Sequence, residues 1–317
     1  MDPDRPQTVL VTGGAGFIGS ALCQALSAAG HRIFVYDNLS RGRPEHLPPG
    51  VALIQGDIRD AAMMRQAVSA AMPDVVIHLA AMHFIPECIA RPDDARRVNV
   101  EGTRRLLESC RESTVRSVVF ASTAEVYAPQ DAACEEDATP LGPLEVYGET
   151  KLEGEQLVRA FHDETGTTCT ILRLFNAIGR NETNPHVLPH VFESLRSSDV
   201  VRLGNTAPRR DYIDTRDMAD AIHAVMRSAT GLQVVNIGTG VAYAVDDIIN
   251  RLRAILKREI TVVPEPGRMR ASERMMLVAA IARLRALTGW TPKLTLDDTL
   301  RDLAAAYGLR SEHPSAS

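Results

Sequence analysis

The stretch TVLVTGGAGFIG, running from Thr8 to Gly19, decides the fold. Its first five residues are aliphatic or β-branched, as a short buried strand requires. They run without a break into glycines at 13, 16 and 19, and a helical apolar pattern starts at Phe17. In a G-x-x-G-x-x-G spacing the first glycine permits a tight turn. The second lets backbone approach a pyrophosphate, and the third lets the helix pack onto the strand. The first N–H groups of the helix would then face an anion. Strand, glycines and helix in this order are the context in which the spacing means dinucleotide binding.

The same alternation continues outward from that turn. Short strand-like runs lie at Thr8–Thr12, Arg32–Tyr36, Val51–Gln55, Val75–Leu79, Ser117–Ser122 and Thr168–Leu174. Helical patterns lie at Phe17–Ala29, Ala61–Ala71, Ala95–Ser113 and Tyr147–Thr165. Runs that are apolar on both faces, separated by helices, predict an α/β doubly wound parallel sheet, the Rossmann architecture. Residues 181–190 carry two prolines, two asparagines and two histidines and read as a loop. A helix at Asp217–Arg227 and a strand at Val234–Ile237 are expected to return to the main sheet. Val245–Leu256, Ile260–Val263 and the segment 281–307 read as a smaller α/β lobe. The expected division is therefore a dinucleotide domain over 1–180, joined by 208–240, and an interleaved substrate lobe over 181–207 and 241–317. The polar end, 311–317, is expected to fray.

Composition sets broad limits. The 317 residues carry 35 basic and 40 acidic side chains, a net charge of −5. That balance argues against nucleic acid or an anionic membrane as the main partner. No apolar run has the length of a membrane span, and Met1–Pro6 contains no apolar signal core. The five cysteines, at 23, 88, 110, 134 and 169, are scattered and include no Cys-x-x-Cys pair. They read as reduced thiols, so the expectation is a soluble cytoplasmic protein. Nine histidines show no metal-motif context, and no metal is expected.

Two further features carry chemistry. The second strand ends at Tyr36-Asp37. A carboxylate there can accept hydrogen bonds from adenosine ribose hydroxyls and repels a 2′-phosphate, so NAD is favoured over NADP. Asp57, after the third strand, could contact adenine or serve as a turn residue, and both readings stand. Tyr147 and Lys151 stand four residues apart at the start of a helix and share one face. An ammonium beside a phenol favours the phenolate and would make Tyr147 a proton acceptor for an alcohol losing hydride. With six tyrosines and only three lysines in the chain, chance pairing at this spacing is uncommon. Thr123 lies just beyond the fifth strand, at the carboxyl end where doubly wound folds place ligands.

These residues, with others in order along the chain, make the sequence resemble the extended short-chain dehydrogenase/reductase family, in its nucleotide-sugar epimerase/dehydratase branch. The matching stretches are Thr12–Gly19, Asp37-Asn38-Leu39-Ser40, Gly56-Asp57-Ile58, His78-Leu79-Ala80-Ala81, Asn99 and Ser122–Tyr127. They continue through Tyr147–Lys151, Arg173–Asn176, Arg210-Asp211-Tyr212, Asn236-Ile237-Gly238, Arg270–Glu273 and Gly289–Pro292. The resemblance implies catalytic roles for Thr123, Tyr147 and Lys151. It implies an NAD site built from Gly13, Gly16, Phe17, Ile18, Gly19, Asp37, Asn38, Ser40, Asp57, Ile58, Leu79, Ala80, Ala81 and Asn99, with Tyr147 and Lys151. It implies a nucleotide-diphosphate sugar held by Thr123, Glu125, Asn176, Arg210 and Arg270, and a homodimer formed through 95–113 and 147–165.

Departures from the pattern narrow the reaction. Dehydratases of this branch carry an Asp and a Glu after the catalytic Thr; here residue 124 is Ala and only Glu125 remains. Ala cannot protonate a departing hydroxyl, so dehydration is disfavoured. Glu125 reads either as a second base or as a vestigial carboxylate. Ala280 replaces a frequent Asp, with an expected effect on helix docking. His83 and His186 are expected near the cleft, as sugar readers or as plain loop histidines. The expectation is NAD-dependent epimerisation at C4 of a nucleotide sugar through a 4-keto intermediate. Uronate decarboxylation, a 4,6-dehydratase or ketoreductase, and a dinucleotide sensor are the alternatives.

Overall fold

The computed structural model describes residues 5–268 and 274–309. Arg270–Glu273 and the polar end 311–317 lie outside the described residues.

The chain starts with β1 (Thr8–Thr12), α1 (Phe17–Ala28), β2 (Arg32–Asp37), β3 (Ala52–Gln55), α2 (Ala61–Ala71) and β4 (Val75–His78). A broken helical stretch follows: α3 (Ile85–Ala90), α4 (Pro92–Arg96), a π-helical turn at Arg97–Glu101 and α5 (Gly102–Arg111). Then come β5 (Ser117–Thr123), α6 (Val146–Thr165), β6 (Thr168–Leu174) and a short β7 (Asn176–Ile178). Next are α7 (Val187–Leu195), β8 (Val200–Leu203), β9 (Arg209–Asp214), α8 (Thr215–Ser228) and β10 (Leu232–Ile237). The remainder is β11 (Ala242–Ala244), α9 (Val245–Leu256), β12 (Thr261–Pro264), β13 (Met276–Leu277), α10 (Ala282–Thr288) and α11 (Leu296–Ala306).

Seven strands form one sheet in the order β10-β6-β5-β4-β1-β2-β3, and every pairing is parallel. The doubly wound architecture read from the sequence is therefore present. Both faces are covered, as parallel sheets require. On one face α1, α8 and α10 pack around Leu22, Ile222, Leu284 and Trp290. On the other, α2, α5 and α6 pack around Met64, Leu106 and Phe161. A separate apolar cluster joins α7, α9 and α11 with β8 and β9. A small fourth cluster, including Val126, Tyr127, Phe175 and Leu277, sits between them.

Helix α7 starts at Val187 inside the stretch read as a loop, because Val187, Leu188, Val191, Phe192 and Leu195 give it an apolar face despite two prolines. The expected helix 95–113 is interrupted by the π turn, which carries Asn99. The backbone of Ala280 pairs with Cys134, and α10 begins after Ile281 with no side-chain cap.

Candidate active site

The carboxyl ends of β1, β2, β4, β5 and β6 open into one cleft of about 1130 Å³, walled on the far side by α7, β9 and α11. The glycine turn forms its floor. A methyl group on Gly13 would lie 2.7 Å from the backbone N of Ala80, and one on Gly19 would lie 2.2 Å from the carbonyl of Gly13. Gly13 also takes a positive φ of 72°. Only glycine fits such a cradle, and the backbone it exposes is free to approach a phosphate. Beneath it, His78 is buried between the hydroxyls of Thr12 and Thr103, at 2.6 and 2.9 Å. Burial, helped by Lys151, lowers its pKa to about 3, so it is a neutral imidazole that fixes the turn.

Asp37 stands at the end of β2 and is buried. Its carboxylate accepts from the backbone N–H of Leu39 at 2.8 Å and of Ala15 at 3.0 Å. Burial pushes its pKa up, while those two bonds pull it down. Each carboxylate oxygen keeps acceptor capacity, as a ribose diol needs. Asn38 donates to Asp57 at 3.0 Å, and Arg59 grips Asp57 with two bonds of 2.9 Å. Those bonds hold the Asp57 carboxyl well below the usual range. A cleft with a glycine cradle and an acidic strand end fits NAD.

Of the expected cofactor residues, Gly13, Gly16, Phe17, Ile18, Gly19, Asp37, Asn38, Ser40, Asp57, Ile58, Leu79, Ala80 and Ala81 line this cleft. Asn99 is not on its lining: it is buried and uses its carboxamide on the N–H and carbonyl of Met82 and on Thr150. It fixes the wall from behind.

Thr123, Tyr147 and Lys151 also line the cleft. Thr123 ends β5, and its hydroxyl accepts from the N–H of Glu125 at 3.3 Å. Tyr147 and Lys151 belong to α6, whose close approach depends on Gly148; a methyl there would lie 2.6 Å from the carbonyl of Glu125. Sequence reasoning expects the lysine to acidify the phenol. In the structure its ammonium lies over the Phe120 ring, 4.4 Å from its centre. Burial pushes the Tyr147 phenol up, opposed by the Thr123 hydroxyl and reinforced by Cys88 and Glu125. Burial lowers Lys151 to about 7, opposed by Glu155.

Behind the pair is a buried ionic network. Arg173 meets Glu155 at 3.0 and 2.8 Å, Ser122 donates to Glu155 at 2.6 Å, and the guanidinium stacks 4.7 Å over Tyr127. Asp211 likewise supports the frame, accepting from Thr239, Gly240 and Ala279.

Asn176, Arg210 and Glu125 also line the cleft. Arg270 lies outside the described residues. His83 and His186 both face the cleft, 6.3 Å apart between ring centres. His83 bonds the Asn184 side chain at 3.0 Å. Sequence reasoning missed Asn184 and Glu182, which sit in the polar run before α7, and Arg274, which belongs to no motif. Among the described residues no group of three or more His, Cys, Asp or Glu side chains could hold a metal.

The profile of the NAD dependent epimerase/dehydratase family matches residues 9–238. The UDP-glucose 4-epimerase of Azospirillum brasilense is 33% identical over 307 residues, covering 90% of this chain and 87% of that one. A crystal structure of UDP-glucose 4-epimerase from Brucella ovis in complex with NAD superposes with a TM-score of 0.88 at 29% identity. That match covers 96% of this chain and 99% of that one. A UDP-N-acetylglucosamine 4-epimerase from Methanobrevibacter ruminantium M1, in complex with UDP-N-acetylmuramic acid, gives 0.86 at 25% identity over 95% and 98%. With the glycine cradle, the acidic strand end and the Thr–Tyr–Lys group in one cleft, the chain belongs to the NAD dependent epimerase/dehydratase family.

Proposed function

We propose that the protein inverts C4 of a nucleotide-diphosphate sugar through a 4-keto intermediate, with NAD held in the glycine cradle. The supporting observation is that Thr123, Tyr147 and Lys151 line the same cleft as the cradle. Bound NAD would supply a hydride acceptor and donor at the sugar carbon. Tyr147 takes the proton of the 4-hydroxyl, and Thr123 aligns or relays it. Lys151, buried with a charge that is costly to keep, donates to hydroxyls entering the cleft and favours the phenolate once they do. Arg210 and Asn176, with Arg270, hold the diphosphate as a tether while the keto sugar turns. Ala124 offers no acid for expelling a hydroxyl, which favours epimerisation over dehydration.

The cluster built on α7, α9 and α11 is the proposed substrate lobe, and the seven-stranded sheet with α8 is the cofactor domain. Homodimer formation through α5 and α6, which pack side by side on one sheet face, is part of the proposal. So is a cytoplasmic location, supported by five free buried thiols. Among the described residues no helix is long and apolar enough to cross a membrane.

The test is a panel of UDP-, TDP-, GDP- and CDP-sugars incubated with the purified protein, beginning with UDP-glucose and UDP-N-acetylglucosamine. The expected result is a product inverted at C4 with no net consumption of NADH. Recovery of every sugar with its C4 configuration intact overturns the proposal, and carbon dioxide released from a UDP-uronate would point to decarboxylation instead.

A further inference from the structure

The sequence leaves Glu125 between a second base and a vestigial carboxylate, and the structure gives it a partner that no motif contains. Arg274 is buried. Its Nε lies 3.0 Å from a carboxylate oxygen of Glu125, a charge contact without the alignment of a hydrogen bond. Its two terminal nitrogens donate to backbone carbonyls, Nη2 to Glu125 at 3.0 Å and Nη1 to Tyr127. One side chain thus grips the short turn Ala124–Val126, directly after Thr123, at two points and the Tyr127 that closes it at a third. The same turn accepts nothing bulkier than Gly148 from α6, so the Glu125 carbonyl is held between Arg274 and the helix that carries Tyr147. The carbonyl of Arg274 in turn accepts from Arg210 at 2.8 Å, and the residues that follow it pair with β9. Arg274 therefore joins the strand end bearing Thr123 to the strand bearing Arg210.

We propose that Arg274 is a positioning residue that holds the turn presenting Thr123 to Tyr147 and cancels the charge of Glu125 beside the phenol. Glu125 then serves as half of a neutral pair and not as a second base. The groups that act on the phenol are Thr123 from β5, Cys88 from α3 and Glu125 from the turn; Lys151, backed by Glu155, lies one turn along α6 over Phe120. Cys88 and Glu125 both oppose ionisation of Tyr147, and of the two Glu125 has a guanidinium against it. The guanidinium against its carboxylate offsets part of that opposition. A guanidinium can also span two carbonyls and a carboxylate at once, which an ammonium cannot.

The inference rests on the reading of Tyr147 as the proton acceptor, and its test does not depend on turnover alone. Phenolate formation in the NAD-bound protein is followed by ultraviolet absorbance against pH, with Tyr147→Phe as the blank. Arg274→Met should move the midpoint up by about one pH unit, because Glu125 is then unneutralised, and Glu125→Gln should move it down. The double variant should return close to the wild-type midpoint. Arg274→Lys should keep the midpoint but lower kcat about tenfold with little change in KM, because the charge stays and the fork is lost. If Arg274→Met does not fold, Glu125→Gln and Arg274→Lys still decide the matter. Midpoints that are the same in all variants would reduce Arg274 to a stabilising contact and end the proposal. An inert sugar panel with shifted midpoints would instead overturn the epimerase reading and leave Arg274 in place.

Discussion

The ammonium of Lys151 rests 4.4 Å above the ring of Phe120, with no hydrogen-bonding side chain against it among the described residues. A buried cation is costly, and burial brings its pKa down to about 7 although Glu155 opposes the fall. The fold tolerates that cost at the place where the proposed chemistry needs a cation.

Lys151→Met should therefore separate stability from activity. Turnover should fall by about a hundredfold or more. The folded state should gain about 1–3 kcal/mol near pH 6, read by denaturant unfolding of the protein freed of ligand. The sign follows from linkage: the folded lysine releases its proton near pH 7 and the unfolded one only above pH 10. Between those values the unfolded chain binds more protons, so wild-type stability from this group rises with pH and the variant's advantage shrinks. A variant less stable than wild type at pH 6 would contradict this.

The buried pair of Arg173 and Glu155 is a different case, because each charge has its partner. Arg173→Met leaves Glu155 and Ser122 facing an apolar side chain and should cost about 3–5 kcal/mol. Arg173→Met with Glu155→Met should recover at least half of that loss in the same unfolding measurement. If the double variant is no better than the single, packing of Arg173 on Tyr127 and not charge is the main contribution.

Asp37 should set the choice of dinucleotide. Asp37→Asn keeps the shape and an acceptor but removes the charge, so the ratio of NADP to NAD dissociation constants should drop about tenfold. Calorimetric titration with both dinucleotides measures it. An unchanged ratio would mean that exclusion of the 2′-phosphate comes from elsewhere.

Arg41 follows β2 and Glu87 lies on α3 after β4, yet the two meet at 2.9 Å. Strand β1 lies between β2 and β4, so this ion pair crosses in front of the glycine turn. It should slow the escape of a bound dinucleotide. Arg41→Ala should speed NAD dissociation about two- to fivefold, and more at low salt than at high salt. Stopped-flow displacement showing equal rates at both salt concentrations would remove this role.

Much of this site is legible in the sequence because it sits in continuous stretches. The glycine turn, Asp37 and the Tyr147–Lys151 pair depend on local spacing along one strand or helix. Their strands are recognisable because burial on both faces leaves runs such as Ser117–Thr123 almost without interruption. What escapes is non-local. Nothing within six residues of Arg274 announces that its guanidinium will be buried against a turn some 150 positions earlier in the chain. The placing of Lys151 over Phe120 escapes for the same reason, since Phe120 and the depth of burial belong to another strand. Asn99 is recognisable as a motif residue, but the π turn sends its carboxamide into the wall.

The parallel sheet is completed by β10, a strand that the chain supplies only after leaving the sheet to build α7, β8 and β9. A fragment ending near residue 180 would expose the whole edge of β6 together with the apolar surface that α8 covers. Unpaired parallel edges of this kind recruit other chains. Such a fragment should aggregate as it leaves the ribosome, and the intact protein should unfold in one cooperative step, because neither part owns a finished interior.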